Sequence, residues 1–289
     1  MIEIYLLEQF DAFARCGTLL AASEELHITQ PTLSRSMKKL EDEFGVSLFH
    51  RENSKLSLNE TGKLAAEYAR RALEANQEMI DRVVMFDRSL RTVSLGSCAP
   101  FPVNELMPTL QEQLPGKTLS SELLSNDEQL LKGLRNHLYQ LVILHENPED
   151  KTLYCQRYLE EKLYITVPED HPLAIKQSVT FDELKGFRIL MTSAIGFWMG
   201  VTLKHLSESD LLIQTSTDAL AELIDASNLP FFNSDQMMRA GVEIPGRISL
   251  PITDGDAHAT FWLACLASEQ LKYRSLFSAI RGTMLRGQI

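Results

Sequence analysis

Positive charge is scarce in this chain: 28 Lys plus Arg stand against 39 Asp plus Glu over 289 residues, a formal net charge of -11. That balance excludes a general nucleic-acid coat protein, which needs a broadly basic surface. Cysteine is sparse as well. Cys16, Cys98, Cys155 and Cys265 are dispersed, without CxxC or Cys/His spacing for zinc, so reduced thiols and no bound metal are expected. Cys98 also lacks the neighbouring cation in sequence that would activate a thiolate. No apolar run approaches the ~20 residues of a membrane span, and the opening MIEIYLLEQF is acidic and short of a signal-peptide core. A cytoplasmic chain with no membrane partner is expected. GxSxG, P-loop, GxGxxG and HExxH motifs are missing, as are paired titratable groups at recognisable spacing, internal repeats and low-complexity tracts. No enzymatic activity and no cofactor are therefore expected.

What is present concentrates in residues 18–51, TLLAASEELHITQPTLSRSMKKLEDEFGVSLFHR. Thr29 is a good N-cap and Pro31 is tolerated in a first helical turn, so a helix starts near Gln30. At about 100° per residue, Leu33, Met37, Leu40 and Phe44 share one stripe expected to pack inward, with Arg35 and Lys38 nearly opposite. Gly45 is placed to end the helix. Upstream, Leu6, Leu7, Phe10 and Phe13 form one apolar stripe and Leu19, Ala22 and Leu26 a second, separated by Gly17 and Thr18. Ala22 is small enough for two helices to cross closely, the geometry that turns the second helix outward. Downstream, VSLFHRENSKLSLN reads as two short strands around a polar turn. Together these make a winged helix-turn-helix; the competing reading is a helical core segment with a solvated charged face.

This run, followed by a long helix, resembles the LysR-type transcriptional regulators. The resemblance covers the chain in order of parts, and its diagnostic residues lie in the first sixty or so positions. It implies that Gln30, Pro31, Thr32, Ser34 and Arg35 approach bases and phosphates, with Arg51 of the wing near the backbone. Three positions depart from the family's habit: Ala21 for a basic residue, Leu20 for a polar one, and Asn59 for threonine, the last neutral because Asn also caps helices. By chemistry, Arg35 can reach guanine O6 and N7 together, Gln30 can read adenine or bind phosphate, and Lys38 and Arg51 position the backbone. Residues 1–60 hold six basic side chains (Arg15, Arg35, Lys38, Lys39, Arg51, Lys55) against ten acidic ones, so any DNA contact must use a local basic face.

From Asn59 a helix continues to about Leu90, its positions Leu64, Tyr68, Ala72, Ala75, Met79, Val83, Phe86 and Leu90 close to a 3.5-residue repeat. A dimerisation arm is expected, against the alternative of a helix packed in its own domain. Beyond it, strand patterns (TVSLGSC, KTLSSELLS, YQLVILHE, FRILMTS, DLLIQTS, LPFFNS) alternate with helical ones, the mark of βαβ units. The expected fold class is α/β overall: a winged helix-turn-helix at 1–60, a linker helix at 61–90, and an α/β region at 91–289, with lobe I at about 91–162 and 265–289 and lobe II at about 163–264. The resemblance implies a two-lobed effector domain like periplasmic binding proteins, with its ligand in the cleft. Ligands in such sheets lie beyond strand C-termini, which selects Ser97, Cys98, Pro100, Asn126, His145, Thr192, Ser193 and Thr217, with Phe197, Trp198, Phe231 and Phe232 as an apolar wall. Few of these are basic, so a small carboxylate or aromatic metabolite is the expected effector. Double-stranded DNA, a second copy of the chain in a dimer or tetramer, and RNA polymerase complete the expected partners. A constitutive architectural DNA binder and an enzyme fused to a DNA-binding head are the alternative functions.

Overall fold

The computed structural model describes residues 1–52, 55–239, 241 and 244–286, with the side chains of Arg51, Glu52, Lys55, Ser209 and residues 282–286 outside the description. The chain divides into two compact units, Met1–Val84 and Met85–Ile289.

In the first unit, α1 (Ile4–Cys16) ends at Gly17, whose φ of 73° suits the left-handed stop that glycine adopts without strain. Thr18 then caps α2 (Leu19–Glu25) by accepting the Ala21 N–H. Thr29 caps α3 (Gln30–Phe44) in the same way through the Thr32 N–H, and Gly45 closes it at φ 68°. Leu6, Phe10, Phe13, Ala22, Leu33, Met37 and Leu40 are all essentially inaccessible, so the three helices share one core. Phe44 departs from the expected stripe. It is 39% exposed, and Ser36 is buried on the inner face instead.

The wing is the antiparallel pair β1 (Phe49–Glu52) and β2 (Lys55–Leu58). Phe49 anchors it, edge-on to Phe10 and Phe13 at centroid distances of 5.9 and 5.5 Å, the geometry aromatic quadrupoles favour. Asn59 opens α4 (Glu60–Ser89) by accepting the Gly62 N–H at 2.7 Å while donating to Ser47 O. A Cβ at Gly62 would lie 2.1 Å from Leu48 O, so only glycine lets α4 pass this close to the wing. Ala65, Ala66 and Ala69 bury one face of its early turns. Tyr68, Met79, Val83 and Phe86 are 57–66% exposed.

The second unit begins with β3 (Thr92–Ser97), α5 (Pro100–Gln113), β4 (Thr118–Leu123), α6 (Asp127–Arg135) and β5 (Leu141–Leu144), with β3 parallel to both β4 and β5. All of Leu141–Leu144 is buried, as expected for a strand covered on both faces. Gly96 and Gly133 leave room for the Tyr139 ring, which a Cβ at either would approach within 3.0 Å. The 16-residue β6 (Leu153–Pro168) then joins the two lobes. There follow α7 (Phe181–Leu184), β7 (Ile189–Thr192), α8 (Trp198–His205), β8 (Leu211–Gln214), α9 (Thr217–Ala226), β9 (Phe231–Ser234), α10 (Asp235–Arg239) and β10 (Arg247–Pro251), then β11 (His258–Leu266) and α11 (Arg274–Arg286). The strand order is β4-β3-β5-β11-β6-β9-β7-β8, with β10 also on β6. Residues 153–162 of β6 pair with β11, and residues 163–168 with β9 and β10. Because β11 pairs with the first half of β6 from His258 onward and with β5 from Trp262, the chain is back in the first lobe by His258 rather than at 265.

Candidate functional site

On α3, Gln30, Pro31, Ser34, Arg35 and Lys38 are exposed together, opposite the buried Leu33, Met37 and Leu40. Thr32 is half-buried, its hydroxyl 2.8 Å from that of Thr29, so it serves the cap first. Arg35 donates from Nε to Pro31 O at 3.3 Å, which leaves its terminal nitrogens for another acceptor. Lys39 is held elsewhere: its Nζ donates to Glu3 at 2.8 Å and Tyr5 at 3.1 Å, and both hold its pKa well above the usual range. The acidic end of α3 is partly neutralised. Glu41 Oε1 accepts the Leu48 and Phe49 N–H groups and so fastens the wing, while Glu43 meets the N-terminal amine at 3.2 Å. Arg51 lies in β1, and its side chain falls outside the described residues.

In the second unit, a cavity of about 640 Å³ lies at the strand ends, lined among others by Ser125, His145, Phe197, Lys204, Asp256 and His258. The His145 and Phe197 rings stack at 4.6 Å with an interplanar angle of 12°. Burial opposes a charge on His145, but the Asp127 carboxylate, with Nδ1 and Oδ1 2.9 Å apart, outweighs it and raises the imidazole pKa. Ser97 and Cys98 are fully buried, and the Ser97 hydroxyl is spent on its own turn, donating to Ala99 O and accepting the Ala99 N–H. Phe197 N–H donates to Cys98 O at 2.8 Å, and a Cβ on Gly196 (φ 63°) would sit 1.9 Å from that oxygen. The second lobe therefore closes directly on the end of β3. Burial, then Asp127, drives the Cys98 thiol far above its ordinary pKa, which disfavours a reactive thiolate.

The other expected positions do not line the cavity. Pro100 starts α5, the Asn126 side chain caps α6, Thr192 accepts the Ala194 N–H, Ser193 is exposed, and Thr217 begins α9 behind the Ser216 cap. Trp198 is buried, its Nε1 donating at 2.9 Å to Glu161, whose carboxyl pKa burial raises. Phe231 is buried, and Phe232 packs on the core. Lys204, Asp256 and His258 were not expected. Lys204 had a legible signal: with Phe197, Gly200 and Val201 it follows helical spacing, so all four face the cavity along α8. Asp256 and His258 had none, since their place depends on β11 returning beside β5 and β6.

The model of the bacterial regulatory helix-turn-helix protein, lysR family, matches residues 4–63, and that of the LysR substrate binding domain matches residues 87–283. The RuBisCO operon transcriptional regulator of Allochromatium vinosum is 27% identical over 63% of this chain and 61% of its own length, a little under two thirds of that relative. An uncharacterized HTH-type transcriptional regulator of Bacillus subtilis (strain 168), YybE, is 30% identical over 70% of each chain. Full-length OxyR from Pseudomonas aeruginosa, solved as a variant, shares the fold at a TM-score of 0.51 and 20% identity, covering 97% of this chain and 99% of that one. Both units are thus matched by the two halves of one family architecture, and the chain belongs to the LysR family of bacterial regulators.

Proposed function

We propose that this protein is a sequence-specific, DNA-binding transcriptional regulator, built as a winged helix-turn-helix head (1–60), a pairing helix (61–90) and an effector region (91–289). The observation that carries the reading is the exposed row Gln30, Pro31, Ser34, Arg35 and Lys38 on a helix capped at both ends. The arrangement leaves a local reading face free in a chain of net charge -11, and docking geometry of this motif places such a face in a major groove. In this reading Arg35 and Gln30 contact base edges, while Pro31, Thr32, Ser34, Lys38 and Arg51 hold phosphates and register.

A single acidic head binds weakly, and pairing two heads makes the second contact intramolecular. The exposed seam on α4 supports that pairing, and tetramers and contact with RNA polymerase extend the same proposal. A small molecule in the cavity beside His145 and Phe197 shifts the heads by binding one closure of the lobes better than another. Open space at this position supports a ligand-responsive regulator over a constitutive binder. The test is recovery and sequencing of fragmented genomic DNA from the source organism bound by the purified protein at near-physiological salt. Enrichment of a few sites bearing an inverted repeat is expected. Uniform recovery, with and without a metabolite extract, contradicts the reading.

A further inference from the structure

Dispersed in sequence, Cys98, Asp127 and His145 are brought together by the fold: one ligating atom from each lies within 4.8 Å of the other two. Cys98 follows β3, His145 follows β5, and Asp127 is the first residue of α6, so the cluster stands beyond two adjacent parallel strands. Each member is held by contacts that do not use its ligating atom. Cys98 N–H donates to Ile143 O at 3.0 Å. Asp127 Oδ2 accepts the His145 and Glu146 N–H groups at 3.0 and 3.2 Å. Phe197 stacks on the His145 ring.

The two remaining atoms are the telling ones. Asp127 Oδ1 and His145 Nδ1 stand at an ion-pair distance of 2.9 Å, yet both are buried without a hydrogen-bond partner of acceptable geometry. Buried polar atoms are rarely left in that state, and a cation between them and the sulfur satisfies both, displacing the Cys98 thiol proton and any proton on His145 Nδ1 to solvent as it binds. We propose that Cys98, Asp127 and His145 bind a divalent transition-metal ion of the zinc class.

The donor set fits that class. Thiolate and imidazole prefer borderline-soft ions over magnesium or calcium, and three protein ligands leave a fourth tetrahedral position open. His145 and Phe197 also line the cavity of about 640 Å³, which sets the cluster beside open space. The carboxylate is already oriented by backbone N–H groups, the kind of outer support that metal sites use. Phe197, bonded to Cys98 O and stacked on His145, links the ion to the second lobe. Regulation by the ion rests on the regulator reading above; binding of the ion does not.

The test is titration of the full-length, chelator-stripped protein with Co²⁺, which reports thiolate ligation by a charge-transfer band and tetrahedral geometry by strong visible absorption. Saturation at a single ion per chain, displaced by Zn²⁺, is expected. Cys98→Ser should abolish the charge-transfer band, and Asp127→Asn and His145→Gln should each weaken binding by more than the roughly tenfold to hundredfold that loss of an outer-shell partner costs. Cys16→Ser, which removes a thiol beside Glu25 at 3.0 Å, should leave the spectrum unchanged. Far-ultraviolet circular dichroism of each variant separates loss of ligand from loss of fold, and His145→Gln keeps the test decisive if Cys98→Ser fails to fold. No thiolate band in the wild-type protein, a band that survives in folded Cys98→Ser, or Co²⁺ affinity left unchanged in folded His145→Gln, overturns the proposal. Because the readout needs no DNA, its failure leaves the DNA-binding proposal standing.

Discussion

Arg35 concentrates the proposed specificity in one side chain. Its Nε is tied to Pro31 O and its terminal nitrogens remain for a guanine edge. Arg35→Ala should cost about 1–3 kcal/mol of discrimination at one base position, while the mass of the oligomer stays unchanged. Fluorescence anisotropy on matched and mismatched duplexes measures the first, and sedimentation the second; equal discrimination by the mutant would remove Arg35 from the readout. Glu161 makes a different residue-scale prediction. Burial raises its carboxyl pKa, so the folded state holds the proton to higher pH than the unfolded chain does. The stability this gives is present below the unfolded pKa and is lost as pH rises through the folded one. Glu161→Gln keeps an oxygen for Trp198 Nε1 and carries no charge. The variant should match wild type in acid and become the more stable protein toward neutral pH, read as urea midpoints across the pH series. A constant difference would contradict the burial argument.

Elements differ in how much of them the sequence declares. Thr18, Thr29, Gly17 and Gly45 mark helix ends by backbone chemistry that needs no tertiary partner, and each stands where that chemistry predicts. Leu33, Met37 and Leu40 obey the helical period because a core lies beneath them; Phe44 obeys it too and is nonetheless 39% exposed, because the period alone does not say how far a core extends. The first half of β6 was illegible for the opposite reason. Glu160, Glu161 and Lys162 interrupt any simple alternation, and their strand is imposed by pairing with β11 nearly a hundred residues later. The ligand region shares this limit: His145 and Phe197 follow from strand ends and aromatic character, whereas the partners His258 and Asp256 are long-range. Gly62 likewise looks like an ordinary helix residue until Leu48 O is placed beside it. Gly62→Ala should destabilise the head by about 1–3 kcal/mol, seen as an earlier loss of helical circular dichroism in urea; an unchanged profile would show that the wing relaxes freely. On α4, Val83 and Phe86 are 65% and 66% exposed. Replacing both with Glu should shift the full-length protein toward monomer in sedimentation experiments, and an unaltered mass would place pairing on another surface.

At the scale of the whole molecule, charge and function pull against each other. With a net charge of -11, the chain repels DNA at long range, so attraction must come from a few local cations. Binding should therefore weaken steeply with salt, and Lys38→Ala should reduce the slope of log K against log salt by about 0.9 for each phosphate that the lysine neutralises. Among the described residues, no helix is long and apolar enough to cross a membrane. The most direct measurement of sequence-specific DNA binding is the affinity of the full-length protein for a labelled duplex carrying the most enriched genomic site and for a scrambled duplex of equal length, at near-physiological salt. A preference of roughly a thousandfold or more is expected; equal affinity for the two duplexes would contradict sequence-specific binding.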